Sequence, residues 1–308
     1  MSPVPASSPP YTGRFAPSPT GPLHFGSLVA ALGGYLDARA HGGRWLLRIE
    51  DLDPPREQIG AADVILRSLD IHGLHWDGPV LHQHTRLAAY ESAVSNLSAE
   101  GWAYTCACSR REIADSGLRG LEGPVYPGTC RQGPPPGKSA RALRIRVPGD
   151  ETLYFEDCLQ GPVRQDLARE IGDFVIRRAD GCFAYQLAVV LDDAFQGVSR
   201  VVRGVDLLLS TPRQMWLQRR LGLPTPSYMH LPVAVTAAGE KLSKQTGARP
   251  LDNERPSLNL FRALEFLRQC PPPPLRGASP PELLSWATKN WQPERLRGIL
   301  TGIAQEVT

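Results

Sequence analysis

Tyr11-Thr12-Gly13-Arg14-Phe15 runs into Ala16-Pro17-Ser18-Pro19-Thr20-Gly21-Pro22-Leu23, and His24-Phe25-Gly26-Ser27 follows at once. The first five residues suit a short strand. Prolines at 17, 19 and 22 together with Gly21 exclude regular structure from the next eight and mark a polar turn. From Gly26 onward Leu28, Ala31, Leu32, Tyr35 and Leu36 recur at i, i+3, i+4, i+7 and i+8, the apolar stripe of a helix packed on a sheet. Arg44 to Ile49 reads as the next strand, with Glu50-Asp51-Leu52-Asp53 at its carboxyl end and then a helix carrying Ile59, Ala62, Leu66 and Leu69. Two strands joined through a helix predict a βαβ unit and therefore a parallel sheet.

A further helix is expected over Leu87 to Leu97, leading to Ala103-Tyr104-Thr105-Cys106. Gly117 to Lys138 is rich in Gly and Pro and carries neither regular period, so 105–170 reads as an insertion. Strand patterns resume at Arg141 to Val147, Asp173 to Arg178 and Val198 to Arg203, followed by a helix around Met215 to Leu221 and an apolar strand at Leu231 to Val235. The expected fold class is α/β, a core with a parallel sheet split into halves at 11–104 and 171–247. The inserted α/β subdomain lies between them, a mobile segment at 1–10 precedes them, and a short helical tail at 248–308 follows.

The 308 residues are 42% hydrophobic and 21% charged, enough for one good core or two unequal ones. Lysine and arginine number 34 against 31 aspartates and glutamates, so a nucleic-acid surface has to be local. Of six cysteines, Cys106, Cys108 and Cys130 are neighbours in sequence, whereas Cys158, Cys182 and Cys270 are scattered and read as small core residues. That pattern excludes a disulfide framework. The first ten residues have no basic start and no continuous apolar run, so neither a signal peptide nor a membrane anchor is expected, and a cytoplasmic location follows.

Ligands of doubly wound sheets bind beyond the carboxyl ends of strands, where helix N-termini direct free N–H groups at phosphates. His24-Phe25-Gly26-Ser27 occupies such a turn. Gly26 allows close backbone approach, and the His24 imidazole can donate to a phosphate oxygen or simply cap the helix. Lys241-Leu242-Ser243-Lys244 lies in a loop after the second α/β half and can bring cationic charge to phosphates or form a solvated surface. The two signals occur in the order that two loops facing one crevice require.

In these residues the chain resembles the glutamyl type of class I aminoacyl-tRNA synthetases. Arg14 to Ser27 resembles that family's first signature, Arg48-Ile49-Glu50-Asp51-Leu52-Asp53 follows at the family's position, and Ala184 to Asp193, Val201 to Asp206 and Lys241 to Gln245 complete the match. The departures are Ser27 in place of a second histidine and Gln245 in place of a terminal serine. The resemblance implies a Rossmann-type nucleotide-binding core that activates L-glutamate with ATP and Mg²⁺. It implies catalytic roles for His24, Gly26 and Lys244, and ATP contacts from these with Ser27, Lys241 and Ser243. It further implies that Arg14 and Arg203 clamp the side-chain carboxylate, that Glu50 takes the ammonium, and that Phe15, Ala16, Pro17, Ser18 and Tyr185 complete the glutamate pocket.

Cys106, Cys108 and Cys130 supply three soft ligands of the four that structural zinc favours. Spacing leaves the fourth open among His82, His84, Cys158 and Tyr126, and resemblance to the shorter glutamyl enzymes favours Tyr126, giving one structural Zn²⁺ in the insertion. Full-length members of the family continue after the lysine loop into a large anticodon-reading domain, whereas residues 248–308 are too few for one. The chain therefore resembles the shortened branch that transfers glutamate to the cyclopentenediol of queuosine in the anticodon loop of tRNA(Asp). A single-stranded loop bearing a reactive cis-diol can replace an acceptor end in such a core. The competing readings are a minimal enzyme charging the acceptor end, a ligase joining glutamate to another small molecule, and a non-catalytic RNA-binding paralogue. A monomer is expected, with no membrane partner. Arg249, Arg255, Arg262 and Arg268 in the tail read as a solvated helix face, the alternative being contacts to RNA.

Overall fold

The computed structural model describes residues 10–242 and 248–304. Strand β1 (Thr12–Phe15) and helix α1 (Phe25–Ala40) flank the Pro-rich turn, and β2 (Arg44–Ile49) pairs parallel with β1, Arg14 opposite Leu46. Helix α2 (Ala61–Ile71) leads to the two-residue strand β3 (Leu81–His82), parallel to β2 through Ile49 and His82, and α3 (Leu87–Ala99) follows. Ile59 is not on α2: it is fully exposed, and the helix begins after Gly60, whose backbone is left-handed at φ 77°. Pro54, Pro55 and Gly60 break the pattern there, so the buried stripe starts instead at Ala61 and continues through Ile65, Ser68 and Leu69.

The segment that follows builds a separate antiparallel sheet. Strands β4 (Ala103–Cys106), β7 (Ala142–Ile145) and β10 (Phe174–Arg177) lie in the order β10-β7-β4, with α4 (Arg110–Asp115) and the small hairpin β5 (Arg119–Gly120) and β6 (Gly123–Pro124) between the first two. Strand β8 (Thr152–Asp157) pairs antiparallel with β9 (Gly161–Asp166), and the short α5 (Leu167–Glu170) returns the chain to β10. The second half of the core holds α6 (Tyr185–Phe195), β11 (Arg200–Gly204), α7 (Thr211–Arg220), β12 (Ser227–Leu231) and β13 (Val233–Val235).

Strands β11 and β12 are parallel, and β8 joins β12 at Asp157 opposite Tyr228. Strand β1 runs beside β11, tied by the Ser199 amide to the Thr12 carbonyl at 2.9 Å and by Arg14 Nη1 to the Val202 carbonyl. The parallel trio β3-β2-β1 and the parallel pair β11-β12 therefore abut along β1 and β11, their orders running outward in opposite directions from this β1/β11 seam. A doubly wound sheet binds its ligands at such a reversal. Helix α1 packs so closely on this sheet that a Cβ on Gly33 would stand 2.5 Å from Leu231 Cδ1.

The tail is more than a helical appendage. Helices α8 (Pro256–Phe266) and α9 (Pro280–Lys289) bury Leu260, Phe261, Leu264, Leu283 and Leu284 in the same core as Leu28, Leu32 and Leu36 of α1. Strand β14 (Thr301–Ile303) then pairs parallel with β13. The scattered cysteines also differ from expectation, since Cys158 and Cys270 are exposed and Cys182 is half-buried. All three sit in turns: Cys158 between β8 and β9, Cys182 between β10 and α6, and Cys270 at φ 52° beyond α8. Among the described residues, no helix is long and apolar enough to cross a membrane.

Candidate active site

A cavity of about 500 Å³ opens at the carboxyl end of the β1/β11 seam. Arg14 from β1, Glu50 just past β2, Arg203 from β11 and Tyr185 at the start of α6 line it together with Phe15, Ala16 and Ser18. Pro17 stands behind this wall, its carbonyl accepting from the Glu50 amide at 3.0 Å. Parallel pairing brings these distant residues together, because every strand delivers its carboxyl end to the same edge.

Buried charge holds the wall in place. Asp193 Oδ1 accepts from Arg14 Nε at 3.0 Å and from Arg48 Nη2 at 2.8 Å, and Arg48 also reaches Glu50 at 3.3 Å. Burial raises the Asp193 carboxyl, but the two guanidinium groups outweigh it and keep the group below the usual carboxylate range. For Glu50 the balance is reversed. Burial pushes its carboxyl up, and Arg48 and Arg14 offset only part of that. A substrate ammonium would supply the missing positive charge.

The neighbouring Asp192, fully buried, accepts from Tyr90 at 2.6 Å, Gln83 at 2.8 Å and Arg86 at 3.1 Å. The two successive aspartates thus pin α6, and with it Tyr185, from opposite sides. Arg203 Nη1 donates to the Tyr185 hydroxyl at 3.2 Å, and Arg203 Nη2 to the Thr211 hydroxyl at 2.8 Å. Arg56 and Arg178 pair with Asp53 at the same cavity, whereas Arg14, Arg203 and the Glu50 carboxylate suit an amino acid with an acidic side chain.

The residues expected at the phosphates form a second cluster that does not line this cavity. His24 is the N-cap of α1, its Nδ1 accepting from the Ser27 amide at 3.4 Å, so its ring proton sits on Nε2. A Cβ on Gly26 would lie 3.1 Å from His24 Cε1, so the glycine leaves room for the capping ring. The turn is stitched to the far side of the lysine loop by a bridge between His24 and Pro250 and by the Leu251 amide on the Leu23 carbonyl. On the near side Lys241 bridges to Val235, and its Nζ lies 2.6 Å from Asp206 Oδ2. The two signature loops are therefore physically joined. Ser243 and Lys244 lie outside the described residues.

Cys106, Cys108 and Cys130 converge as their spacing allows. Cys108 Sγ and Cys130 Sγ are 3.6 Å apart, and the Tyr126 hydroxyl stands 3.5 Å from Cys106 Sγ and 3.8 Å from Cys108 Sγ. Tetrahedral zinc with Zn–S bonds of about 2.3 Å sets its ligands roughly 3.5–3.8 Å apart, so the four atoms fit. The Cys130 amide donates to the Tyr126 oxygen at 2.7 Å, and the Arg144 guanidinium lies 4.0 Å over the Tyr126 ring with Nε 3.3 Å from Cys106 Sγ. Burial and the thiols push the Tyr126 phenol above its ordinary range, a shift that a bound dication would oppose. His82 and His84 lie elsewhere, their Nδ1 atoms 3.3 and 2.5 Å from Asp51 Oδ2, and Cys158 is exposed in its own turn.

Sequence reading assigned no role to Arg48, Asp193, Asp157, His230 or Arg144. Arg48 and Asp193 lie inside quoted motifs, whereas Asp157 and His230 carry only the signal of polar residues within apolar strands. Gln83, Asp53, Arg56, Arg178 and Phe183 also line the cavity.

Residues 11–257 match the family model for the catalytic domain of class I tRNA synthetases of the E and Q types. The chain is 58% identical over 284 residues, 92% of its length and 94% of the relative's, to a glutamyl-Q tRNA(Asp) synthetase of Dechloromonas aromatica. A protein of the same name from Aromatoleum aromaticum is 57% identical over 285 residues, covering 92% and 90% of the two chains. The fold is similar to a crystal structure of a glutamate tRNA ligase from Elizabethkingia meningosepticum in complex with its amino acid. That similarity has a TM-score of 0.78 at 22% identity, over 96% of this chain and 67% of that one.

Proposed function

Because the chain belongs to the class I tRNA synthetases of the E and Q types, and within them to the glutamyl-Q tRNA(Asp) synthetases, we propose that it is a ligase activating L-glutamate with ATP and transferring it to queuosine in the anticodon loop of tRNA(Asp). The observation that carries the amino acid is the convergence of Arg14, Arg203 and Glu50 on one cavity. The acceptor rests on the relatives.

Arg203 and Arg14 take the side-chain carboxylate, with Tyr185 beside Arg203, and Glu50 takes the ammonium. With both ends held, the α-carboxylate is left to face the His24 turn, and the chain's contribution is positioning. An α-carboxylate oxygen attacks the α-phosphorus of ATP and pyrophosphate leaves. A hydroxyl of the acceptor cis-diol then attacks the activated carbonyl carbon, its proton is lost, and AMP leaves. Mg²⁺ accompanying ATP offsets charge on the phosphates. His24 Nε2–H, the N-terminus of α1 around Gly26 and Ser27, and the cations Lys241 and Lys244, with Ser243, serve the phosphates. Cys106, Cys108, Tyr126 and Cys130 hold a structural Zn²⁺ that ties β4 to the hairpin region.

The test uses labelled glutamate and ATP with tRNA(Asp) carrying either queuosine or guanosine at the wobble position. Label is expected on the queuosine form alone. Label on both forms would assign the acceptor end instead, and glutamate-dependent ATP–pyrophosphate exchange without RNA label would leave only the activation half.

A further inference from the structure

Arg203 does not stand alone on β11. The β11/β12 register sets His230 directly opposite it, and Arg203 Nε donates to His230 Nε2 at 3.1 Å. On the far side of the imidazole, Nδ1 lies 2.6 Å from Asp157 Oδ2 at the end of β8. Asp157 Oδ1 meanwhile accepts from the backbone amides of Leu159, Gln160 and His230 at 3.0, 2.9 and 3.3 Å. The three side chains are buried, with His230 at 0%, Asp157 at 1% and Arg203 at 6% exposure.

One protonation state satisfies this chain. Arg203 Nε can only donate, so His230 Nε2 must present its lone pair. An ionised carboxylate can only accept, so Nδ1 must carry the proton. An imidazolium would turn an N–H against the guanidinium. Burial and the Arg203 charge both hold His230 toward the neutral form, while hydrogen bonds from His230 and the amides keep Asp157 ionised despite its burial. Thr211 completes the frame, accepting from Arg203 Nη2 with its hydroxyl 3.3 Å from His230 Nε2. Nε and Nη2 are thus committed to protein, and Nη1 is the nitrogen shared with the Tyr185 hydroxyl at the cavity wall.

We propose that Asp157 and His230 are positioning residues: the Asp157 carboxylate fixes His230 as its Nδ1–H tautomer, and the unprotonated Nε2 fixes the roll of the Arg203 guanidinium so that it meets the substrate side-chain carboxylate. This rests on Arg203 being the partner of that carboxylate. Neither residue touches substrate. Their effect falls on recognition of the amino acid, and neither ATP binding nor the chemical step depends on them.

Asp157→Asn is the discriminating variant because it is isosteric. Its amide oxygen keeps the three backbone N–H groups, which turns its NH₂ toward His230 Nδ1. The imidazole must then move its proton to Nε2, facing Arg203 Nε–H. In ATP–pyrophosphate exchange with the full chain, the glutamate KM should rise roughly 10–100-fold, the scale of a hydrogen bond to a charged group, with ATP KM and kcat near wild type. Nitrogen NMR of ¹⁵N-histidine-labelled protein should show His230 protonated on Nδ1 in the wild type and on Nε2 in Asp157→Asn. His230→Gln can return an amide oxygen toward Arg203 and should stay within a few-fold of the wild-type glutamate KM, whereas His230→Asn, too short to reach it, should not.

Arg203→Gln separates the two readings. An unchanged glutamate KM in Arg203→Gln would remove the glutamate-pocket assignment itself. A steep rise there, with Asp157→Asn and His230→Asn at wild-type KM, would overturn the positioning role alone, as would an Nε2–H or doubly protonated His230 in the wild type. Equal rises in glutamate and ATP KM with a lowered melting temperature in every variant would reduce the chain of residues to a structural one.

Discussion

Asp193 Oδ1 holds Arg14 Nε at 3.0 Å inside the sheet, with side-chain exposures of 7% and 4%. The same oxygen holds Arg48, which is wholly buried. Removing the carboxylate leaves two guanidinium groups in low dielectric with Glu50 as the anion that acts on both, Arg14 keeping the Val202 carbonyl and Arg48 the Gln196 amide oxygen. Asp193→Ala should therefore lower stability by about 3–5 kcal/mol, the cost of stranding a buried charge, and equilibrium urea unfolding measures it. A loss under 1 kcal/mol would mean that the two arginines find other partners.

With Glu50 as the partner of the substrate ammonium, glutamate recognition should depend on pH. In the free site burial holds its carboxyl above the ordinary 4.5, opposed by Arg48 and Arg14 and reinforced by Asp193. A bound ammonium favours the ionised form, so binding releases a proton wherever the free group is still protonated. As pH falls through the raised value, kcat/KM for glutamate should decline by up to tenfold per pH unit. The pKa of that decline should exceed 4.5, and Glu50→Gln should abolish the dependence along with most of the binding. Activity profiles in overlapping buffers, run above the pH of acid unfolding, would expose a decline centred at or below 4.5 and so contradict the assignment.

The thiol cluster should purify with one zinc per chain when no metal is added, measured by elemental analysis. Arg144 lies over the Tyr126 ring and against Cys106, so Arg144→Gln should weaken metal affinity about 10–100-fold, as loss of an outer-shell partner does, while leaving the ligands in place. Tyr126→Phe removes an oxygen that also accepts from the Cys130 amide and should lose its metal to a chelator faster still. Metal release unchanged in both would place the ion elsewhere.

Lys244→Ala should lower adenylate formation by about 10²–10³, the usual effect of deleting one preorganised stabiliser of growing negative charge. ATP–pyrophosphate exchange reads the loss, and an unchanged melting temperature assigns it to chemistry. Lys241→Ala should cost less, because Lys241 pairs with Asp206 2.6 Å away. Near-normal exchange in Lys244→Ala would shift the phosphate role to Lys241 and the α1 turn.

Local pattern carried much of the core into view. The turn chemistry of Ala16 to Leu23 and the periodicity after Gly26 predict β1 and α1 with little error, because strand, turn and helix there depend on neighbours a few residues away. Arg14, Glu50, Tyr185 and Arg203 stand out inside recognisable motifs. Their supports do not, because each depends on which strands pair. Arg14 meets Asp193 from 179 positions away, and His230 meets Asp157 from 73. The same limit left four candidates beside the cysteines: β3 and the turn after it carry His82 and His84 to Asp51, while the hairpin region carries Tyr126 to the thiols. Ile59 failed for a local reason, the left-handed Gly60, and Cys158, Cys182 and Cys270 failed because cysteine's average burial says nothing about a turn.

The pairing of Val233–Val235 with Thr301–Ile303 also orders events during synthesis. A strand that reaches the ribosome exit early waits for a partner 68 residues downstream, and the core face of α1 waits for Leu260, Leu264 and Leu283. Until translation passes Ile303, the base of the lysine loop has an unpaired edge and the nascent chain shows apolar surface of the kind chaperones hold. Nucleotide binding by the emerging polypeptide should consequently appear only when β14 is free of the exit tunnel, which a series of stalled nascent chains would time.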